Sequence, residues 1–222
     1  RIRDELANLL GARRAGPALA WAARARLLGP ALGVVLPQGL GARLVRGRRR
    51  LAFDAPAILR LDPEARVCAR LALLGLVQRL TPAEIFGWLA ARRWSREDAG
   101  RAGTLAKLVL GALALSDSGD PWRWIRDAGG LAPGALAVLE AQGSAGRRLA
   151  RLLRHRLASA RARPVPRVKG RDLIAWLGLP AGPAVGQLLR ELEIAGLSGR
   201  VRTRPQARRW LIANAPAIIR SS

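Results

Sequence analysis

Helix starts recur along this chain so often that they leave room for little else. Asp62-Pro63-Glu64 offers an N-cap, a first-turn proline and an acidic residue in the first turn. Thr81-Pro82-Ala83-Glu84 repeats this with the spacing of a capping box, and Ser95-Arg96-Glu97-Asp98 and Asp120-Pro121 open two more helices. Each device satisfies amide N–H groups that a helix start otherwise leaves open, so each commits the following residues to helix. Behind Asp62, Val67, Leu71, Leu74 and Val77 fall on one face; behind Ser95 a helix runs towards Leu115; behind Asp120 come Trp122 and Trp124. No stretch alternates apolar and polar residues with the period of two that a half-buried strand needs. The expected fold is all-α: an irregular multi-helix bundle followed by a small helical tail.

Ile2, Leu6, Leu9 and Leu10 make an amphipathic first helix, and Pro17 opens a helix through Trp21 to Leu28, stopped by Gly29-Pro30. Arg43 to Arg50 is a basic cluster ahead of a turn around Asp54 and Pro56, open to reading as a solvated loop or a phosphate contact. The helical pairs share no self-similar motif at a fixed period, so a solenoid is not indicated. From Ser144 to Arg163 the chain reads as a basic amphipathic helix. Leu149, Leu152, Leu153 and Leu157 form its apolar face, with Arg147, Arg148, Arg151, Arg154 and Arg156 over the remainder. Such a helix suits a bundle with its arginines outward, and also suits a polyanion or a membrane surface. Pro164 and Pro166 form a short stiff linker, which places the domains at residues 1–163 and 164–222.

The tail, Val168 to Trp210, is a helix, a Gly/Pro turn, a second helix, a basic turn and a third helix. Leu173, Ile174 and Leu177 share a face that Gly178 ends; Gly182 gives the turn its freedom, and Pro183 suits a first helical turn. Val185, Leu188, Leu189 and Leu192 follow the spacing of a buried helical face, with Gly196 at its end. Gly186 is expected to let another backbone approach closely. Thr203 and Gln206 are spaced as a capping box for the last helix. The open amides near Gly182, with Lys169 and Arg171, suit a phosphate; a packing hairpin whose glycines serve only the turn is the competing reading.

Charge narrows the partner. Thirty-nine basic residues stand against 15 acidic ones, a net charge of +24, and Lys107 and Lys169 are the only lysines. A GC-rich genome accounts for Arg in place of Lys but not for the surplus, which points to a polyanion. Half the residues are hydrophobic, so the chain can bury a core. Cys68 is the only cysteine, which leaves no disulfide framework and no thiolate metal cluster. No apolar run approaches the ~18 residues of a membrane helix, and no membrane partner is expected. The chain contains no Met and begins without a signal-peptide pattern, so a cytoplasmic location and a missing N-terminal part are expected.

Within the tail, Gly170, Asp172 and Leu173 are followed by Leu177 to Leu179, then Gly182, Pro183, Val185, Gly186, Leu188 and Leu189, then Thr203 and Arg204, and Ala207, Trp210 and Leu211. Their order and spacing resemble the C-terminal tail of bacterial CCA-adding enzymes and the related poly(A) polymerases. Ile2, Arg3, Asp4, Glu5 and Leu6 are similar to the end of a segment where that family's catalytic head passes into its helical neck, and Gly29 to Pro37 is similar to the passage after the next helix. The middle resembles the family's body only in pattern. The resemblance implies the neck end, body and tail of a tRNA nucleotidyltransferase without its catalytic head. It implies that the intact protein adds nucleotides to the tRNA 3′ end from CTP and ATP with Mg²⁺. It further implies that this region holds tRNA, or another structured RNA, by shape and backbone.

The chemistry of that reaction requires carboxylates converging on Mg²⁺, and the sequence offers no D-x-D pair. Glu191 and Glu193 point apart on a helix, and Asp117 and Asp120 have no third ligand nearby. His155, the only histidine, reads as a surface residue among arginines, which also argues against a His-Asp phosphohydrolase module. No cofactor is expected in this chain; Mg²⁺ with ATP and CTP belongs to the absent head. Trp88, Trp176 and Trp210 fall at core positions, whereas Trp94, Trp122 and Trp124 lie near helix ends and are open to a surface role, such as stacking on bases. The expected RNA-binding residues are Lys169, Arg171, Gly182, Arg147, Arg148, Arg151, Arg154, Arg202 and Arg204, giving binding without catalysis. The rival readings are a free-standing basic nucleic-acid-binding protein and a scaffold for a protein or membrane surface.

Overall fold

In the computed structural model, which describes residues 2–27, 53–115, 120–163 and 166–220, every regular element among the described residues is a helix. The α-helices are α1 (Ile2–Gly11), α2 (Ala15–Arg24), α3 (Pro56–Leu59), α4 (Pro63–Val77), α5 (Pro82–Ala90), α6 (Arg96–Leu113), α7 (Pro121–Ala128), α8 (Ala132–Ala141), α9 (Ser144–Arg161), α10 (Gly170–Leu177), α11 (Pro183–Leu197) and α12 (Arg204–Arg220). The all-α expectation holds. The Arg43–Arg50 cluster, Gly29 to Pro37, Asp117 and Pro164 lie outside the described residues.

Capping chemistry sets the helix starts where the sequence places them. Asp62 accepts from the Ala65 amide at 2.8 Å, and Ser95 accepts from the Asp98 amide at 2.9 Å. Thr81 and Glu84 complete a capping box, with the Glu84 amide donating to the Thr81 hydroxyl at 3.2 Å and the Thr81 amide to the Glu84 carboxylate at 2.7 Å. The Asp120 carboxylate accepts from the Trp122 amide at 3.0 Å. Pro17, expected to open α2, sits inside it, because the helix begins at Ala15.

The chain divides into two compact units, one of Arg1–Gly119 and Ala128–Leu153, the other of Asp120–Asp127 and Arg154–Ser222. In the first, α4 touches α1, α3, α6 and α8, while α6 also packs on α5 and α8. Helix α4 is therefore buried around most of its circumference: Cys68, Ala69, Leu71, Ala72, Leu73 and Leu74 are all enclosed, while Val67 and Val77 are only half-buried. Arg66 and Arg70 are buried too. Arg70 donates to the Phe53 carbonyl at 2.8 Å and to the carbonyls of Leu10 and Ala12; Arg66 donates to the carbonyls of Gly11 and Leu61. These guanidiniums satisfy the open carbonyls where α1 ends, which is what makes their burial tolerable.

Helix α8 and the short 3₁₀ turn before it, Gly129–Leu131, were not legible in the sequence. Its residues are small and almost all enclosed: Gly134 packs closely, with Leu105 3.0 Å from where a Cβ would stand, while Pro133 is exposed in the first turn. A Cβ on Gly146, in the first turn of α9, would run into the Leu139 carbonyl, so only glycine lets the α8–α9 corner close. The apolar face of α9 also differs from expectation. Ala150, Leu153 and Ala160 are buried and Leu149 and Leu157 half-buried, whereas Leu152 is 49% exposed. Leu152 follows Leu149 by three positions, but the buried stripe Gly146–Ala150–Leu153–Leu157–Ala160 passes to one side of it.

The second unit is built on α10, α11 and α12, each touching the other two around Leu173, Val185, Leu188, Leu192, Ala207 and Leu211. Gly178 ends α10 in the left-handed conformation, with φ of 63°, as glycine at that position favours. Thr203 and Gln206 bond reciprocally, the Gln206 amide to the Thr203 hydroxyl at 3.4 Å and the Thr203 amide to the Gln206 side-chain oxygen at 3.2 Å. Arg163 ties the strand of chain after α9 to this group, donating to the carbonyls of Leu197 at 3.2 Å and Ser198 at 2.8 Å.

Two glycine expectations are corrected. Gly182 has φ of 168°, an extended backbone that any residue adopts, so the turn does not depend on it. A Cβ on Gly186 would meet nothing within 4 Å, so no backbone approaches there. The closer approach in the tail is at Gly199, where a Cβ would lie 3.1 Å from the Arg163 guanidinium; at Gly170 the nearest atom, on Val185, is at an ordinary 3.4 Å.

Candidate functional site

Helix α9 carries six arginines and no carboxylate over its 18 residues. Arg147, Arg148, Arg151 and Arg154 are exposed, as is His155. Arg156 is turned back: its guanidinium lies 5.7 Å from the Trp122 ring centre, with Arg163 at 5.5 Å from the same ring. Trp122 thus sits against two cations within the second unit, an arrangement favoured by the negative face of the indole. Trp94 and Trp124, open to a surface role on sequence, are buried at 8% and 6% exposure. Trp88 is buried as expected, and Trp176 and Trp210 are partly buried against the tail core.

At the start of α10 the sequence-predicted residues form a small charge cluster. Asp172 accepts from the Lys169 backbone amide at 2.8 Å and from the Arg204 guanidinium at 2.7 Å. The Lys169 amide, followed by the charges of Arg204, Arg171 and Lys169, holds the Asp172 carboxyl below its ordinary range. Arg204 also lies over Trp176, 5.4 Å from the ring centre. Arg202 donates its amide to Gln206 at 2.8 Å and its Nε to the Gly199 carbonyl at 3.3 Å. Lys169, Arg171 and Arg204 therefore gather around Asp172, and Gly182 stands in open solvent at the N-terminus of α11 without a side-chain cap.

Beside that helix start lies a feature the sequence reading missed. Arg123 and Arg126 of α7 and Arg190 and Glu191 of α11, with Pro183, Gly186 and Gln187, line a groove of about 500 Å³. Lys169 and Arg171 do not line it. Arg123 Nη2 bonds both Glu191 carboxylate oxygens, at 2.9 and 3.0 Å, and Arg126 Nε bonds Asp127 at 2.9 Å. Arg123 and Glu191 are 68 positions apart, so no local pattern could have joined them.

Among the described residues no three His, Cys, Asp or Glu side chains gather closely enough to hold a metal ion. Glu191 faces Arg123 while Glu193 is exposed elsewhere on the helix, so these carboxylates do not fit a shared Mg²⁺. No described helix is long and apolar enough to cross a membrane. No protein-family model, curated protein or solved structure matches the chain.

Proposed function

We propose that this chain is an RNA-holding helical region of the kind that CCA-adding tRNA nucleotidyltransferases and poly(A) polymerases carry, with tRNA or another structured RNA as its partner. The observation that carries the reading is the exposed face of α9, where Arg147, Arg148 and Arg151 stand on a helix that holds no acidic residue. A solvated structural helix commonly pairs such charges with Glu or Asp one turn away. A helix without them keeps its cations for an outside anion. Guanidinium groups match phosphate oxygens in a planar fork, and A-form RNA is held mainly through phosphate and 2′-hydroxyl contacts.

The resemblance across Gly170 to Leu211 supports the family, and the charge supports the ligand class. In that family nucleotide addition with CTP, ATP and Mg²⁺ belongs to a separate head; binding is the contribution we assign to the residues described here. The test compares transcribed tRNA, duplex DNA of similar length and anionic vesicles as ligands of the full chain. Preferential tRNA binding without incorporation of labelled ATP supports the proposal. Equal affinity for DNA favours a general nucleic-acid binder, vesicle binding without tRNA preference favours a scaffold, and either outcome overturns it.

A further inference from the structure

The groove between α7 and α11 has a more specific chemistry than a basic surface. Three guanidiniums, from Arg123, Arg126 and Arg190, face a single lining carboxylate, Glu191. We infer that this groove seats one phosphodiester of an RNA backbone, and that Glu191 gates it by occupying Arg123 until the phosphate arrives. The inference rests on the RNA-holding function proposed above and gives it a particular point of contact.

The lining excludes other ligand classes. A cation would meet three positive charges, and an apolar ligand would have to desolvate them. A phosphate diester presents several acceptor oxygens to arginines, each with up to five N–H donors in a fixed plane. Glu191 engages one amino group of Arg123, which leaves the rest of that guanidinium for a ligand. Asp127 accepts from both Nε and Nη2 of Arg126, fixing the second cation on α7 and leaving its Nη1 for a ligand. Arg190 is exposed on α11 one turn beyond Gly186.

Gly186 acquires a reason here. The space where its side chain would stand is empty to 4 Å, so the groove floor stays low between Pro183 and Arg190 and the phosphate can approach the helix. The α11 start adds a positive potential of its own, since Gly182 provides no side-chain cap. The guanidiniums and the carboxylate carry the argument, and the helix end reinforces it.

The gate makes the test unusual, because one substitution should strengthen binding. Full-length chain is titrated with a transcribed tRNA over a salt series. The double variant Arg123→Ala/Arg190→Ala should bind about ten-fold more weakly, with its log–log salt slope flatter by roughly 1 to 2. Glu191→Gln keeps the side-chain shape, removes the competing charge and should bind about three- to ten-fold more tightly. Misfolding cannot imitate that gain. If wild-type chain binds tRNA but both variants match it within about two-fold in affinity and in slope, the groove is not a phosphate seat. Weaker binding by Glu191→Gln overturns the gate. If wild-type chain does not bind tRNA even at low salt, the RNA-holding function itself fails, and this occupant with it.

Discussion

Arg70 and Asp54 meet at 2.7 Å in the first compact unit, and the same carboxylate accepts from the Gly16 amide at 3.0 Å. Arg70 is fully enclosed and also bonds the carbonyls of Leu10, Ala12 and Phe53. One buried side chain on α4 thus joins the end of α1, the segment before α3 and, through Asp54, the start of α2. Burial lowers the Arg70 pKa from its ordinary value, and Asp54 offsets part of that penalty. Asp54→Asn should destabilise the unit by about 2–4 kcal/mol, because it leaves a buried guanidinium without its counter-charge. A urea midpoint shift worth less than about 0.5 kcal/mol would show that the backbone carbonyls alone satisfy Arg70.

Gly146→Ala tests the α8–α9 corner. With the Leu139 carbonyl in the place of the new methyl group, either helix must move. The expected cost is about 1–3 kcal/mol despite alanine's better helix propensity, read as a lower thermal midpoint. An unchanged or raised midpoint would mean that the corner opens without loss.

Cys68 is predicted to be inert in the folded chain. The residue is 1% exposed, and burial, with Asp98 nearby, pushes the thiol pKa up to about 12. Thiolate is the reactive form, so a disulfide reagent at mildly alkaline pH should label the protein only after denaturant is added. Fast labelling of the native chain would contradict the enclosed position on α4.

Asp172 predicts how the tail responds to acid. Its folded pKa is lowered, so its stabilising contribution is present above the unfolded value of about 4 and is lost as pH falls through the lower folded value. Asp172→Asn should therefore be less stable than wild type near neutrality, and the two should converge at strongly acid pH. Tryptophan fluorescence during denaturant titrations at several pH values reports the difference. A gap that persists undiminished in acid would assign the loss to the amide itself and not to the missing charge.

What was legible in the sequence was chemistry acting over a few residues. Asp62, Thr81, Ser95, Thr203 and Gly178 mark helix ends because cap and capped amide or carbonyl lie within one turn. The buried face of α11 was legible for the same reason, through the spacing of Val185, Leu188 and Leu192. Helix α8 was hidden by Gly129-Gly130 and Pro133-Gly134, which punctuate a loop as readily as they lead into a helix. Arg66 and Arg70 were hidden because arginine reads as surface unless distant carbonyls come to meet it. Burial of both also means that the basic surplus is not wholly turned to a partner. The candidate site divided likewise: the cations of α9 and the turn at Asp172 were visible, while the Arg123–Glu191 groove exists only after folding brings α7 to α11.

The central claim, that Arg147, Arg148 and Arg151 of α9 hold RNA phosphates, is tested most directly by the salt dependence of tRNA binding to the full chain and to a variant with Arg147, Arg148 and Arg151 all changed to Gln. The account predicts a steep log–log slope for wild type, with magnitude of about 3 or more, and a variant slope smaller by about 2 to 3, with helicity by circular dichroism unchanged. A flat wild-type slope, or an equal slope in the correctly folded variant, would contradict it.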